Sequence, residues 1–374
     1  MAGVGFTAYT LSGEPVVADL RPGDDGFHRV GVARRSLATA LGVPRRRVGL
    51  FHVGNFDELE SDEEVRGDVQ LIVFPPRRVV TVSVDKSVVI WNADTGVCEV
   101  KWSPYLQSGN SPPTCFSLDG KRFATAWGDL ATLWDVETRS AMISLKCPGT
   151  IFDMIEFSHD GMRLATCSFD HTMRIWNAET GICEVSVSGV GIAYSMSFSP
   201  DDRRLVVSGD LDCDLVLPIW NTCSGACEDN VPLEHDMIVD GVCFSPDGQR
   251  LALAWPCCRF SARIWRFETR VWDLRLFGHG YIVVCLCFSS DGRRLATASG
   301  DNTARIWNAE NGACELKLAG HSQALSRVRF SSDGRQIVTS SHDKSAKIWN
   351  AKTGTSELTL IGDSQFTDVL FLCS

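Results

Sequence analysis

Phe330-Ser-Ser-Asp-Gly-Arg-Gln-Ile-Val-Thr-Ser-Ser-His-Asp-Lys-Ser-Ala-Lys-Ile-Trp-Asn-Ala-Lys-Thr-Gly354 decides the fold. The stretch opens on an Asp-Gly turn signal, runs through two short segments of strand character and closes on a second turn, Asn350-Ala-Lys-Thr-Gly354. Each of these markers recurs along the chain. Tryptophan returns at Trp91, Trp134, Trp176, Trp220, Trp265, Trp307 and Trp349, 42 to 45 residues apart. A Phe-Ser marker begins at Phe116, Phe157, Phe198, Phe244, Phe288 and Phe330, and every copy ends in Asp-Gly except that of Phe198, which ends at Asp202. Each unit reads as four short strands, at 325–330, 336–340, 346–349 and 356–360 in the last complete copy. Such strands are too short to be stable alone, and a four-stranded sheet buries both faces only between neighbours. Radial stacking of the sheets achieves that.

These markers, with Gly278-His279, Gly320-His321 and Trp134-Asp135, give residues 77–374 a resemblance to the WD-repeat family, although most units carry Trp-Asn in place of Trp-Asp. The resemblance implies a mainly β chain folded as a seven-bladed β-propeller. It also implies a hydrogen-bonded chain of His, Ser or Thr, Asp and Trp in each complete blade. Two units carry such a set: His279, Ser299, Asp301 and Trp307, then His321, Ser341, Asp343 and Trp349. Buried imidazole, indole N–H and carboxylate groups all need partners. The grouping imitates a hydrolase triad, but it recurs in register with the repeat, which a single active site would not do. Elsewhere the pattern departs. Trp127 and Trp255 fall at the serine position, and His235 stands at the Gly-His position of unit five. Packing is the expected role of these rings, with an aromatic ligand surface as the alternative.

The first unit has strands at 79–84, 87–91 and 98–102 but no marker ahead of them. Residues 362–374 are similar to 320–330 with one residue deleted. The expectation is therefore that 366–372 supplies the inner strand of blade one and latches the ring, which leaves no open edge. The rival is that 68–74 supplies it.

The segment 1–75 lacks the repeat. It reads as two strands within 6–20, a helix over 30–41 ended by Gly42 and Pro44, and apolar stretches at 48–53 and 68–74. That order, with Leu41-Gly-Val-Pro44, Gly49-Leu-Phe-His-Val-Gly54 and Asp68-Val-Gln-Leu-Ile-Val73, resembles the ubiquitin-like β-grasp, a small α+β domain. Phe74-Pro-Pro-Arg-Arg78 follows in place of a terminal Gly-Gly, so the resemblance implies a fused module rather than a modifier. Pro75-Pro76 marks the boundary with the propeller, 76–374. Arg45-Arg-Arg47, the longest basic run, reads as a solvated loop.

The chain of 374 residues is 44% hydrophobic and 22% charged, which suits packed domains rather than disorder. Its net charge of -10 argues against direct nucleic-acid binding. The longest apolar run, 281–288, is too short for a membrane span, and no secretory signal is visible. The 15 cysteines then read as reduced thiols of a cytoplasmic or nuclear protein, serving as small buried hydrophobes. No C-x-x-C, phosphate loop, H-E-x-x-H or Gly-x-Ser-x-Gly occurs, so no metal, cofactor or catalytic residue is expected. The WD-repeat resemblance implies a scaffold that binds proteins or peptides on a ring of loops. Candidates on the histidine-bearing face are Phe169, Tyr281, Asn302, Ser322 and His342. The two domains together suggest, by analogy, an adaptor or substrate receptor with a ubiquitin-pathway partner. Trp272-Asp-Leu-Arg275 spells the Trp-Asp-x-Arg string of ligase receptors, but it lies seven residues beyond the repeat Trp265.

Overall fold

The computed structural model describes residues 6–9, 15–18, 38, 48–52, 69–73, 77–104, 113–210, 216–233, 239–255 and 262–372. Two compact units divide between Arg77 and Arg78.

The larger unit holds seven four-stranded antiparallel sheets, the blades of a seven-bladed β-propeller. In blade six, for example, the inner strand Val283–Phe288 is followed by Arg294–Ser299, Thr303–Asn308 and the outer strand Cys314–Ala319. The second strand is buried nearly throughout, because neighbouring blades cover both of its faces, while the outer strand shows mostly exposed residues. Seven buried clusters lie in the seven gaps between successive blades. One joins Leu286, Phe288 and Trp307 of blade six to Ala252, Ile264 and Leu276 of blade five. Burial of this kind, at roughly 25 cal/mol per Å² of apolar surface, makes each blade depend on its neighbours.

Blade one takes its inner strand from the end of the sequence. Phe366–Leu372 pairs antiparallel with Arg78–Ser83, and Phe366, Val369 and Phe371 pack with Val79, Trp91, Ile348 and Leu360. The rival segment, Val69–Val73, belongs to the other unit.

The turns follow from their side chains. In the Phe-Ser marker, Ser289 Oγ donates to Asp291 Oδ1 at 2.6 Å and accepts from Arg294 N at 3.0 Å, while Gly292 sits at φ 67°. Blade four places Asp202 at that left-handed position, at φ 56°. Its carboxylate accepts from the backbone N–H groups of His159 and Asp160 in blade three, at 2.7 and 2.9 Å, and so ties blade three to blade four. The Asn that follows five of the repeat tryptophans closes the second turn: Asn308 Oδ1 accepts from Glu310 N and Asn311 N, and its Nδ2 donates to Glu315. This double duty is why Trp-Asn serves here as well as Trp-Asp.

Arginine at the first position of the second strand clasps the next blade. Arg122, Arg163, Arg204, Arg250 and Arg294 donate to the carbonyls of Gly161, Asp202, Gly248, Gly292 and Gly334 at 2.8–2.9 Å. Arg204, Arg250 and Arg294 also lie over Phe244, Phe288 and Phe330 of the next blade, 5.4–5.6 Å from the ring centres. Blade seven has Gln336 at this position, bonded to Glu357 of its own outer strand, and blade one has Arg78, paired with Glu99 at 2.7 Å.

In the smaller unit, Phe6–Tyr9, Pro15–Ala18, Val48–His52 and Val69–Val73 form one sheet in the order second, first, fourth, third. The first strand runs antiparallel to the second and parallel to the fourth. Ala38 is helical and buried. The rest of the helix expected over 30–41 and the basic run at Arg45 to Arg47 lie outside the described residues.

Candidate functional site

The described loops from an outer strand to the next inner strand, and those from second to third strands, lie on one face of the propeller. In blade six that face is built on His279. A carboxylate can only accept, so His279 Nδ1 carries the proton it gives to Asp301 Oδ2 at 2.9 Å. His279 Nε2 then accepts from Thr297 Oγ1 at 2.7 Å, and that oxygen accepts the Trp307 indole N–H at 2.9 Å. Blade seven repeats the arrangement through Asp343, His321, Thr339 and Trp349, at 2.9, 2.8 and 2.8 Å. Burial pushes both imidazole pKa values below the usual histidine range. Burial alone would raise the Asp301 carboxyl, but the Thr303 hydroxyl, the Gly280 N–H and His279 outweigh it and hold the pKa at about 2. Asp343 is held at about 2 in the same way by Ser345, Ser322 N and His321. A neutral imidazole between a threonine and an aspartate, with no nucleophile facing solvent, is a structural brace.

The serines of the expected chains are not its links. Ser299 Oγ donates to the Tyr281 carbonyl at 3.0 Å and accepts from Asp301 N, while Ser341 Oγ bonds the Gln323 and Ala324 carbonyls and accepts from Asp343 N. The reason is register. Trp307 pairs with Leu295, so its indole N–H reaches the residue two further along the second strand, Thr297, and Ser299 lies two residues beyond that. The signal was present in the sequence: Thr81, Thr125 and Thr166 occupy the same position and accept from Trp91, Trp134 and Trp176 at 2.8, 3.0 and 2.9 Å. Blades four and five have Val207 and Leu253 there, and the buried Trp220 N–H has no partner among the described residues.

Trp255 is buried. It lies 5.3 Å from Trp272, which is equally close to Trp265, and Arg263 stacks over Trp272 at 4.7 Å. Trp272 donates to the Pro232 carbonyl of blade four, and Asp273 pairs with Arg266, so these two residues of the Trp272-Asp-Leu-Arg275 string are tied into the sheets. Trp127 is half-buried, with Lys86 Nζ 4.3 Å from its ring centre. His235 lies outside the described residues.

The cysteines correct one expectation. Cys98, Cys183, Cys227 and Cys314 are exposed, because they begin outer strands directly opposite a repeat tryptophan, on the solvent edge of each blade. Cys115, Cys243 and Cys287 each precede a marker phenylalanine, and Cys243 and Cys287 donate their thiols to the Phe244 and Phe288 carbonyls at 3.4 Å. Ser197, which also precedes a marker phenylalanine, accepts the N–H of Phe244 in the next blade at 3.2 Å. Burial pushes the Cys243 thiol up to about 12, which keeps it protonated.

Of the surface candidates, Phe169 is 54% and Tyr281 66% exposed. A Cβ on Gly300 would stand 2.5 Å from the Tyr281 ring, so only glycine lets the ring lie there. Asn302, in a left-handed turn at φ 67°, donates to the Ser322 carbonyl at 3.4 Å and joins blades six and seven. His342 is exposed and its N–H is held by the Ala324 carbonyl. Tyr281, Asn302, Ser322 and His342 thus share blades six and seven, whereas Phe169 stands on blade three beside Ile151. Among the described residues, no group of three or more His, Cys, Asp or Glu is placed to hold a metal ion, and no helix is long and apolar enough to cross a membrane.

Residues 142–177, 270–308 and 312–350 match the family model described as WD domain, G-beta repeat. These stretches are WD40 repeats. Each WD40 match includes the outer strand of one blade and the first three strands of the next, so the sequence repeat itself spans a blade boundary. The first three strands in these matches are those of blades three, six and seven, and the last two hold the histidine chains. Similar proteins include rat apoptotic protease-activating factor 1, 28% identical over 178 residues, which are 45% of this chain and 14% of that protein. The target of rapamycin complex subunit wat1 of Schizosaccharomyces pombe is 25% identical over 189 residues, 48% of this chain and 57% of that one. Autophagy-related protein 16 of Arabidopsis thaliana is 25% identical over 163 residues, 42% and 31%. The matches thus span 14% to 57% of these relatives' lengths.

Proposed function

We propose that this chain is a non-enzymatic scaffold that binds peptides or partner domains on the histidine-bearing loop face of its propeller. The observation that carries the reading is a pair of exposed aromatic rings, Phe169 and Tyr281, on loops whose backbones are fixed by the sheets beneath. Rigid aromatic side chains on exposed loops make efficient anchors because little conformational freedom is lost on binding. WD40 propellers generally bind proteins or peptides, which agrees. The test is affinity purification with quantitative mass spectrometry on the full chain and its Tyr281→Asp and Phe169→Asp variants. Partners lost with either variant, at unchanged Tm, support the reading. A partner set indifferent to both removes it.

A second reading rests on the smaller unit. Its sheet, with a parallel pair at the centre flanked by antiparallel strands, supports a β-grasp over residues 1–75. Such a module would serve as the docking element of a ubiquitin-system adaptor, in a cytoplasmic or nuclear setting. Comparing partners of the full chain with those of residues 77–374 separates the readings. Ubiquitin-pathway proteins recovered only with the full chain favour the adaptor.

A further inference from the structure

The loop face is not uniform, and its chemistry changes across blades three to five. Ile151, Phe169 and Tyr194 are exposed there, at 55%, 54% and 44%. Phe169 N donates to the Ile151 carbonyl at 2.9 Å, which fixes the first two side by side. Tyr194 is the bulged residue of its inner strand, between Ala193 and Ser195, and stands four residues before the marker Phe198. Asp153 is the bulged residue of the inner strand of blade three, four residues before Phe157, and Asp240 stands four residues before Phe244 in blade five. Three consecutive blades thus present carboxylate, phenol and carboxylate at one level of the ring.

Among the described residues, neither carboxylate is neutralised by a basic partner. Asp153 Oδ2 accepts the Ala193 N–H, at 3.3 Å, and its Oδ1 has no donor among the described residues. Burial raises the pKa of both Asp153 and Asp240. Arg174, on the third strand of blade three, is occupied by Asp170 at 2.9 Å. The lysines on the described loops of this face, Lys86 and Lys344, belong to blades one and seven.

We infer that the blade three to five sector of the loop face docks a basic, partly apolar peptide segment, with a lysine or arginine beside Tyr194 and an apolar side chain against Ile151 and Phe169. The inference rests on the scaffold reading and supplies the chemistry of its partner. A cation over Tyr194 gains the ring's attraction and the field of two flanking carboxylates, while apolar contact supplies the area. The net charge of -10 adds a long-range attraction of the same sign.

The probe is a fluorescein-labelled ten-residue peptide alternating lysine or arginine with leucine, set against counterparts with every basic residue replaced by glutamine or by glutamate. Binding to the full chain is measured at 150 mM salt by anisotropy. The basic peptide is expected to bind at least tenfold tighter than either counterpart. Tyr194→Ser and the double variant Asp153→Asn with Asp240→Asn are each expected to weaken it at least fivefold. The charge-matched double variant Glu268→Gln with Glu310→Gln, on the opposite face, is expected to leave it unchanged. Equal weakening by the two double variants means non-specific attraction and overturns the inference, as does glutamine-peptide binding as tight as the basic one. If the glutamine or glutamate peptide binds as tightly as the basic one and Tyr281→Asp or Phe169→Asp abolishes that binding, the scaffold reading stands and the basic-partner inference falls. If no peptide binds, the inference falls, and the partner purification above decides the scaffold reading separately.

Discussion

Replacing Thr297 by valine keeps the volume but strands two buried groups, the Trp307 indole N–H and the acceptor nitrogen of His279. An unsatisfied buried group costs about 1–3 kcal/mol, so Thr297→Val should lower the Tm by several degrees, and by more than Ser299→Ala, whose Oγ holds only loop backbone. Acid should act on the same braces. The His279 and His321 pKa values lie below the ordinary value, so the unfolded chain takes up protons first as pH falls through about 6.5. Stability from these sites is present above that pH and declines below it. Asp153 has the opposite sign. Burial raises its carboxyl from the ordinary aspartate range to about 6, so ionisation penalises the fold above pH 6 and the penalty fades as pH drops toward 4. Asp153→Asn should therefore raise stability at pH 7.5 by about 1 kcal/mol, after allowance for solvent screening, and give no gain near pH 4. Thermal melts across pH check both. The threonine was readable from the sequence as a residue recurring two positions past the partner of five of the seven repeat tryptophans, once pairing is known. Marker spacing alone pointed to the serine, because both residues face the same side of the strand.

At the scale of elements, the arginine clasps explain why short sheets hold their places. Each reaches from the second strand of one blade to the marker turn of the next. Arg294 donates to both the Gly334 and Ala351 carbonyls and covers Phe330, so Arg294→Ala removes two charge-assisted bonds and a ring contact. A loss of about 2–4 kcal/mol is expected, against roughly 0–1 for Arg335→Ala, an exposed residue on the same turn. Strand number, order and turn positions were legible because Asp-Gly and Asn-x-x-x-Gly chemistry each punctuate five of the seven units. The clasps were not, since they join residues some 40 positions apart whose pairing only the closed ring brings about. The exposed cysteines were misread for a related reason. Composition speaks for burial, and only the outer strand's solvent edge overrides it.

The whole molecule depends on how the ring closes. Phe366 is fully buried at the seam between blades seven and one, where the clasp position is held by Gln336. Phe366→Ala should cost about 3–5 kcal/mol, and removing 366–372 should leave blade one without its inner strand and lower the melt by many degrees. An unchanged melt would show that closure is carried elsewhere. The likeness of 362–374 to 320–330 made this closure readable. Which loops would carry function was less so, because Tyr194 stands at a bulge that the repeat markers do not register. The most direct test of the account is hydrogen–deuterium exchange mass spectrometry on the full chain, alone and with a purified partner. The account predicts slow exchange in the second and third strands of all seven blades, with 78–92 and 366–372 protected together. It also predicts that the partner slows exchange on the loops around Phe169, Tyr194 or Tyr281. Protection confined to the Asp-Gly turns of the opposite face would contradict it.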